Sequence, residues 1–144
     1  MFRPAGESRR KGGLAMLLTA LALSFATQTC KSWDTALPAP LSGWRRSGRG
    51  LDTGHAVTLA RSGDSIQTMM RIRKAGTFGV AIDRDGWIDV APGRGRPLRM
   101  ASENRGPKCS TIRKIVRYKL RPGTYRVSVN KLKATRARLM LVRY

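Results

Sequence analysis

The side chains that most often carry out catalysis are scarce in this sequence. It has one histidine, His55, two cysteines and eight acidic residues. A facial-triad iron site needs two histidines and a carboxylate, and a Ser-His-Asp triad needs a spacing that nothing here favours. A lone histidine near the start of a predicted strand is more typical of a structural or surface residue. We therefore predict no catalytic residue, no metal site and no cofactor.

Basic side chains, in contrast, are abundant enough to bind anions. The 144-residue chain has 29 Lys and Arg against 8 Asp and Glu, which gives a formal net charge of +21. A surface of this charge attracts lipid headgroups, acidic polysaccharides and acidic proteins. Two segments place cations close together, and they supply the candidate anion-binding residues Arg94, Arg96, Arg113 and Lys114.

The first segment, PGRGRP at 92–97, resembles the core of an AT-hook. In an AT-hook an extended Arg-Gly-Arg lies in the narrow minor groove of A·T-rich DNA. Between two predicted strands the same residues are also typical of a solvated turn. Residues 1–26 moreover predict a signal peptide, described next, and an exported protein does not meet the chromosome. DNA binding through Arg94 and Arg96 is therefore a third hypothesis, and nucleic acid is not the expected partner.

The first 26 residues are typical of a signal peptide. Four basic residues precede an apolar run of 13 residues, 14–26, that ends in the small-x-small sequence Ser24-Phe25-Ala26. As a helix this run rises only ~20 Å, short of the ~30 Å core of a bilayer, so we predict no stable transmembrane span. Cleavage after Ala26 would leave a net charge of +18 on the mature chain. We expect the mature protein to be periplasmic or secreted.

Cys30 and Cys109 are the only cysteines. Export would place them in an oxidising compartment, where a disulfide persists. The one pairing available closes a loop of about 80 residues and contributes on the order of 4 kcal/mol in the chain-entropy model. Two free buried thiols are the alternative.

The composition divides the mature chain into an arm and a domain. Residues 27–54 are rich in proline and glycine and include Trp33 and Trp44, which predicts an irregular N-terminal arm. In residues 55–144 short apolar runs alternate with turns, which indicates an all-β domain, a small antiparallel β-sandwich that is jelly-roll-like. The predicted strands are His55–Leu59, Gln67–Ile72, Gly76–Ile82, Trp87–Val90, Lys114–Leu120, Gly123–Val129 and Ala137–Arg143.

A period of two supports these strands. Tyr125, Val127 and Val129 share one face of their strand, and the sequence VRYKL at 116–120 alternates in the same way. The segments AGTFGVAI at 75–82 and PGTYRVSV at 122–129 also share a pattern. One interpretation is two similar hairpins that pack face to face across the core. The other is the chance recurrence of a common strand opening.

The segment GPKCSTIRK at 106–114, followed by a strand and by PGTY at 122–125, resembles a family of small exported bacterial proteins of unknown role. Members often carry the name homogentisate 1,2-dioxygenase. The resemblance extends to LSGW at 41–44, GHAV at 54–57, GTF at 76–78 and WIDV at 87–90.

This resemblance implies a secreted all-β domain in which Cys30 is bonded to Cys109. The family often has histidines just before the G-P-x-C turn, where this chain has SENR at 102–105. Homogentisate dioxygenases are cupin enzymes with an iron site of two histidines and a glutamate, which His55 alone cannot supply.

Two further hypotheses accompany DNA binding. The favoured one is a non-catalytic, exported binding or envelope-associated module whose cationic surface meets an anionic envelope component or an acidic protein. The other is an enzyme of the homogentisate 1,2-dioxygenase type, as the name carried by the family suggests.

Overall fold

The computed structural model describes residues 29–144 and shows an all-β sandwich, as predicted. The predicted signal peptide, residues 1–26, lies outside the described residues. Two antiparallel sheets contain eight strands. The strands are β1 (Val57–Ala60), β2 (Ile66–Ile72), β3 (Gly76–Ile82), β4 (Trp87–Pro92), β5 (Ser102–Arg105), β6 (Lys114–Leu120), β7 (Gly123–Asn130) and β8 (Arg136–Arg143).

The strand order is that of a jelly roll. One sheet has the order β1-β8-β3-β6-β5 and the other has the order β2-β7-β4. The first strand pairs with the eighth, the second with the seventh and the third with the sixth, as in a long ribbon folded over itself. Except from β5 to β6, the chain crosses to the other sheet after every strand. Residues that are distant in sequence therefore meet at the ends of the sandwich.

Alternating apolar residues fill the space between the sheets. Tyr125, Val127 and Val129 of β7 point into this core, as the period of two predicts. The facing layer comes from β3, β6 and β8, which are the adjacent inner strands of the five-stranded sheet. Burial of this apolar surface is the main favourable contribution to folding.

Strand β5 was not predicted from the sequence. Its four residues are all polar, and the strand pairs only with β6, at the edge of its sheet. An edge strand with charged side chains avoids pairing with other chains, and it needs no apolar face. Hydrophobic alternation, which located the other seven strands, therefore gives no signal there.

The interpretation of the repeat as two similar hairpins is wrong. The two repeat segments form β3 and β7, the central strands of the two sheets. Each is followed by a strand that crosses over, so β4 pairs with β7 and β8 pairs with β3. The repeated strands face each other across the core, but their partners are exchanged between the sheets. A short turn after a strand does not by itself dictate pairing with that strand.

The N-terminal arm is more ordered than the sequence indicates. It contains a 3₁₀-helix, Ala39–Arg45, with a proline in its first turn. Leu41 and Trp44 of this helix are buried in a second apolar cluster, on the outer face of the five-stranded sheet. Gly43 lets the helix lie close to the backbone of Gly54, because a Cβ at position 43 would lie 2.7 Å from the carbonyl oxygen of Gly54.

Polar contacts hold the arm on this sheet. The Arg138 guanidinium of β8 donates to the Trp44 carbonyl at 3.1 and 2.7 Å and to the Arg46 carbonyl at 3.1 Å. The Asp34 carboxylate accepts from the backbone N and Oγ1 of Thr111 at 2.7 and 2.6 Å.

Cys30 and Cys109 form the expected disulfide, which ties the start of the arm to the loop before β6. The two cysteines are 79 positions apart in sequence, so the bond closes most of the described chain into one loop. Within residues 29–144, no helix is long and apolar enough to cross a membrane.

Candidate functional site

A cavity of about 400 Å³ with basic walls opens where β2 leads into β3. We call it the cationic pocket. Four of its lining residues are cations and one is an acid. The lining residues are Leu51, Asp52, Thr53, Arg71, Ile72, Arg73, Lys74, Phe78, Leu141 and Arg143.

The crossing from one sheet to the other brings these cations together. Residues 71–74, RIRK, include the end of β2 and the turn toward β3. Arg143 reaches the pocket from β8, where it stands opposite Phe78 of β3. Its guanidinium carbon lies 5.5 Å from the centroid of the Phe78 ring, a cation-π contact that orients it.

The cations of the pocket are not neutralised by nearby acids. In the part of the chain that the structure describes, none of Arg71, Arg73, Lys74 and Arg143 makes a salt bridge. The lone acid of the lining, Asp52, accepts from the backbone N of Thr53 at 2.7 Å. Clustered charges of one sign in a concave site focus the electrostatic field and favour an anionic ligand. Three guanidinium groups also offer paired donors that match carboxylate or phosphate oxygens.

Arg113 and Lys114, two of the predicted anion-binding residues, are already paired with acids. Arg113 Nε lies 2.5 Å from Asp85 Oδ1, and Lys114 Nζ lies 3.1 Å from Glu103 Oε1. All four residues line a shallow cavity, which we call the paired groove. With about 580 Å³ it is larger than the cationic pocket. Two of its three cations are nevertheless compensated, and only Arg105 lacks a salt bridge among the described residues. We therefore favour the smaller cavity, in which none of the four cations makes a salt bridge, as the anion site.

Arg94 and Arg96 lie exposed in a tight turn after β4. The backbone N of Gly95 donates to the Pro92 carbonyl at 2.5 Å, and Arg126 donates to the Gly93 carbonyl at 2.7 Å. The turn is thus folded back and held by β7. An AT-hook requires an extended Arg-Gly-Arg, so this conformation does not match the one that enters a minor groove.

His55 takes a structural position. Its Nε2 lies 2.9 Å from the Arg49 carbonyl oxygen and 3.2 Å from that of Gly50. Carbonyls only accept, so Nε2 carries the proton and donates. Among residues 29–144, no three His, Cys, Asp or Glu side chains are grouped as metal ligands. The donor set does not fit the iron site of two histidines and a carboxylate that the family name implies.

The fold changes the acidity of Tyr118. It is buried in the core, and its hydroxyl donates to the Ile88 carbonyl at 3.1 Å. Burial, and then the negative charges of Asp89 and Glu103, raise its pKa to about 12. Each of these effects disfavours the tyrosinate, so the phenol stays neutral and keeps its hydrogen bond.

The cations of the cationic pocket were not predicted from the sequence. Arg71, Arg73 and Lys74 lie within four consecutive residues and precede a turn, which is a local signal comparable to that of Arg113 and Lys114. Their significance depends on Arg143 and on the scarcity of acids around them, which only the folded chain reveals. Comparisons with known proteins add no further information on the site. No protein-family model matches the chain, and no curated protein matches it.

Proposed function

We propose that the protein is an exported, non-catalytic binding module that holds an anionic group of an envelope component in the cationic pocket. The observation that carries the proposal is the convergence of Arg71, Arg73, Lys74 and Arg143 on one cavity without a salt bridge among the described residues. Unpaired cations repel one another, so they contribute little to the stability of the fold. An anionic ligand would relieve that repulsion.

The shape of the pocket limits what can enter it. A cavity of about 400 Å³ holds a headgroup or a short stretch of polysaccharide rather than a folded protein. The Phe78 ring and the apolar side chains of Leu51 and Leu141 would contact the uncharged part of the ligand. A phosphate or carboxylate group would face the guanidinium groups.

Export supports an envelope partner. The N-terminal sequence is typical of a signal peptide, and the disulfide between Cys30 and Cys109 is of a kind that persists in oxidising compartments. We therefore propose a periplasmic or secreted location. Mass spectrometry of the protein from its native host should give an N-terminus near Thr27. An intact N-terminus in cytosolic protein would contradict this location.

Binding is tested by removing charge from the pocket and from a matched surface. The pocket variant is Arg71→Gln/Arg73→Gln/Lys74→Gln, and the control, Arg94→Gln/Arg96→Gln/Arg99→Gln, removes the same charge from the exposed loop after β4. Affinity is measured for phosphatidylcholine vesicles with and without phosphatidylglycerol, and for soluble alginate. The two probes distinguish a lipid phosphate from a polysaccharide carboxylate.

We expect the pocket variant to lose about tenfold or more in affinity for one of these probes. The loop control should lose about threefold or less, because its exposed cations act mainly by long-range attraction. Equal losses in both variants would show that charge alone, without a site, causes binding. Absence of binding to both probes would also contradict the proposal.

The same preparations test the two competing hypotheses. We expect no oxygen uptake with homogentisate and Fe(II), because the chain contains one histidine. Uptake that stops on chelation and returns with added Fe(II) would support the enzyme. A preference for A·T-rich DNA that the loop control alone abolishes would support DNA binding through Arg94 and Arg96.

A further inference from the structure

A second cavity, of about 300 Å³, lies between the N-terminal arm and the five-stranded sheet. We call it the Arg117 pocket. Pro38, Pro40 and Pro107 supply apolar walls, and Arg117 and Tyr144 are among its other lining residues. Its size is at the lower end of the range for small-molecule sites, which is about 300–1,000 Å³.

The arginine in this pocket is held in place but lacks an acceptor. The guanidinium carbon of Arg117 lies 3.7 Å from the centroid of the Tyr144 ring. Its Nε is buried and has no hydrogen-bond partner, and its guanidinium makes no salt bridge within residues 29–144. A buried donor without an acceptor is costly and uncommon in folded proteins. Stacking covers a face of the guanidinium plane, whereas its N–H groups lie in that plane and can still donate.

The local sequence builds this stack. Gly79 of β3 stands opposite Arg117 of β6. A Cβ on Gly79 would lie 3.0 Å from a ring carbon of Tyr144 and 2.6 Å from a side-chain carbon of Ile115. The glycine therefore leaves the space into which the tyrosine ring folds. The backbone N of Tyr144 donates to the Thr77 carbonyl at 3.0 Å and fixes the end of the chain there.

We propose that the Arg117 pocket binds a small carboxylic acid with a flat apolar body, such as an aromatic acid. A carboxylate matches the paired donors that the two terminal nitrogens of a guanidinium offer, and those of Arg117 make no salt bridge among the described residues. The proline walls and the tyrosine ring offer flat apolar surfaces to the rest of the ligand. This site is separate from the cationic pocket, since the two cavities share no lining residue.

The disulfide places one wall of this site. Pro38 and Pro40 belong to the arm that Cys30 anchors, and Pro107 precedes its partner Cys109 by two positions. Reduction of the bond would free the arm to move away from Pro107. Affinity for the acid should therefore fall when the protein is reduced.

The test uses calorimetry of the disulfide-intact protein with phenylacetate and benzoate as probes. Phenylacetamide and benzamide, which have the same shape without the charge, are the ligand-side controls. Arg117→Gln removes the fork, and Lys119→Gln removes the same charge from an exposed position on the same strand. Arg117→Lys keeps the charge and loses the fork, and Tyr144→Leu removes the stacked ring.

We expect at least one acid to bind about tenfold more tightly than its amide, and Arg117→Gln to remove that preference. Arg117→Lys should recover little of it, because an ammonium does not reproduce the fork. Lys119→Gln and the pocket variant Arg71→Gln/Arg73→Gln/Lys74→Gln should bind the acid as the unmodified protein does. A negative result for anion binding in the cationic pocket would therefore leave the inference about the Arg117 pocket unaffected.

Three results would overturn the inference: equal binding of acid and amide, no binding of either acid, or equal losses in Arg117→Gln and Lys119→Gln. The melting temperature shows whether Arg117→Gln is folded. If it is not, the comparison of acid with amide and the Tyr144→Leu variant, which should lose affinity for the acid, decide the question in the same way.

Discussion

Two groups of cations in this molecule have opposite roles. Arg113, Lys114 and Arg138 are all engaged, either with carboxylates or with the carbonyls of the arm. The cations of the cationic pocket, Arg71 and Arg143 among them, make no salt bridge in the described residues. The difference shows that a high net charge does not itself locate a binding site. Engaged cations contribute to the fold, whereas unengaged cations in a cavity are available to a ligand.

Among the contacts that stabilise the fold, those that hold the arm should have the largest effect on the free energy of unfolding. We expect Cys30→Ser to lower the free energy of unfolding by about 2–4 kcal/mol, because the unfolded chain regains the entropy of an open loop. Denaturant titration measures this loss. Affinity of the cationic pocket for its anionic ligand should change little, since its cations come from β2, β8 and the turn after β2. The arm also lines the pocket at residues 51–53, but this end of the arm is far from Cys30 in sequence and is held by the hydrogen bond from Leu141 N to the Asp52 carbonyl at 3.1 Å. An unchanged free energy of unfolding would show that the bond has little influence on the fold.

Removing the arginine that holds the arm should have the next largest effect. Arg138→Met leaves the carbonyls of Trp44 and Arg46 without that donor, so we expect a loss of about 2–3 kcal/mol. Arg143→Met is the matched control on the same strand. It should cost about 1 kcal/mol or less, because Arg143 makes no salt bridge among the described residues and an exposed cation-π contact such as that with Phe78 contributes little. Similar losses from both substitutions would remove the distinction between engaged and unengaged cations.

The pH dependence of stability should reveal the ionisation of the buried phenol of Tyr118. The pKa of Tyr118 is raised from 10.0 to about 12 in the folded protein. Between these two values the phenol ionises in the unfolded chain but not in the folded one, so stability falls as the pH rises through this window. The total loss from this group should be about 2–3 kcal/mol, and the group adds no pH dependence below its unfolded pKa.

Tyr118→Phe isolates this contribution from those of all other groups. The variant should lose stability at neutral pH because the hydrogen bond to Ile88 is gone. Denaturant titrations at several pH values should then show a shallower alkaline decline than in the unmodified protein. Identical slopes would contradict the raised pKa.

The smallest effect should come from the exposed ion pair of the paired groove. Arg113 and Asp85 have side chains that are 58% and 77% exposed, so solvent screens their attraction. We expect Arg113→Gln to cost about 0.5 kcal/mol, less at high salt. A loss of ligand affinity in this variant as large as in the pocket variant would place the anion site in the paired groove instead.

Much of the fold was predictable because alternation is a local property. Residues such as Val127 and Val129 reveal both a strand and its inward face without knowledge of any partner. The pairing of β4 with β7 and of β8 with β3 depends on contacts between distant segments. So does the burial of Trp44 on the outer face of the five-stranded sheet. The polar strand Ser102–Arg105 has no alternation to detect.

The candidate sites were less predictable for a related reason. Sequence shows where cations are dense, but not which of them an acid will neutralise. Arg113 is adjacent to no acid in sequence and still meets Asp85, 28 positions away. Arg143 and Arg71, which share a cavity, are farther apart still. Charge pairing is a property of the fold, so the unpaired set emerges only from the structure.

We expect the cationic pocket, rather than overall charge, to bind the anion. Heteronuclear NMR of the isotopically labelled protein tests this expectation directly, with pyrophosphate as a small soluble probe. We expect saturable shifts at the side-chain Nε–H groups of Arg71, Arg73 and Arg143 and at the amides of Asp52 and Thr53. Shifts centred on 94–96 or on 113–114, or small changes spread evenly over all exposed arginines, would contradict the account.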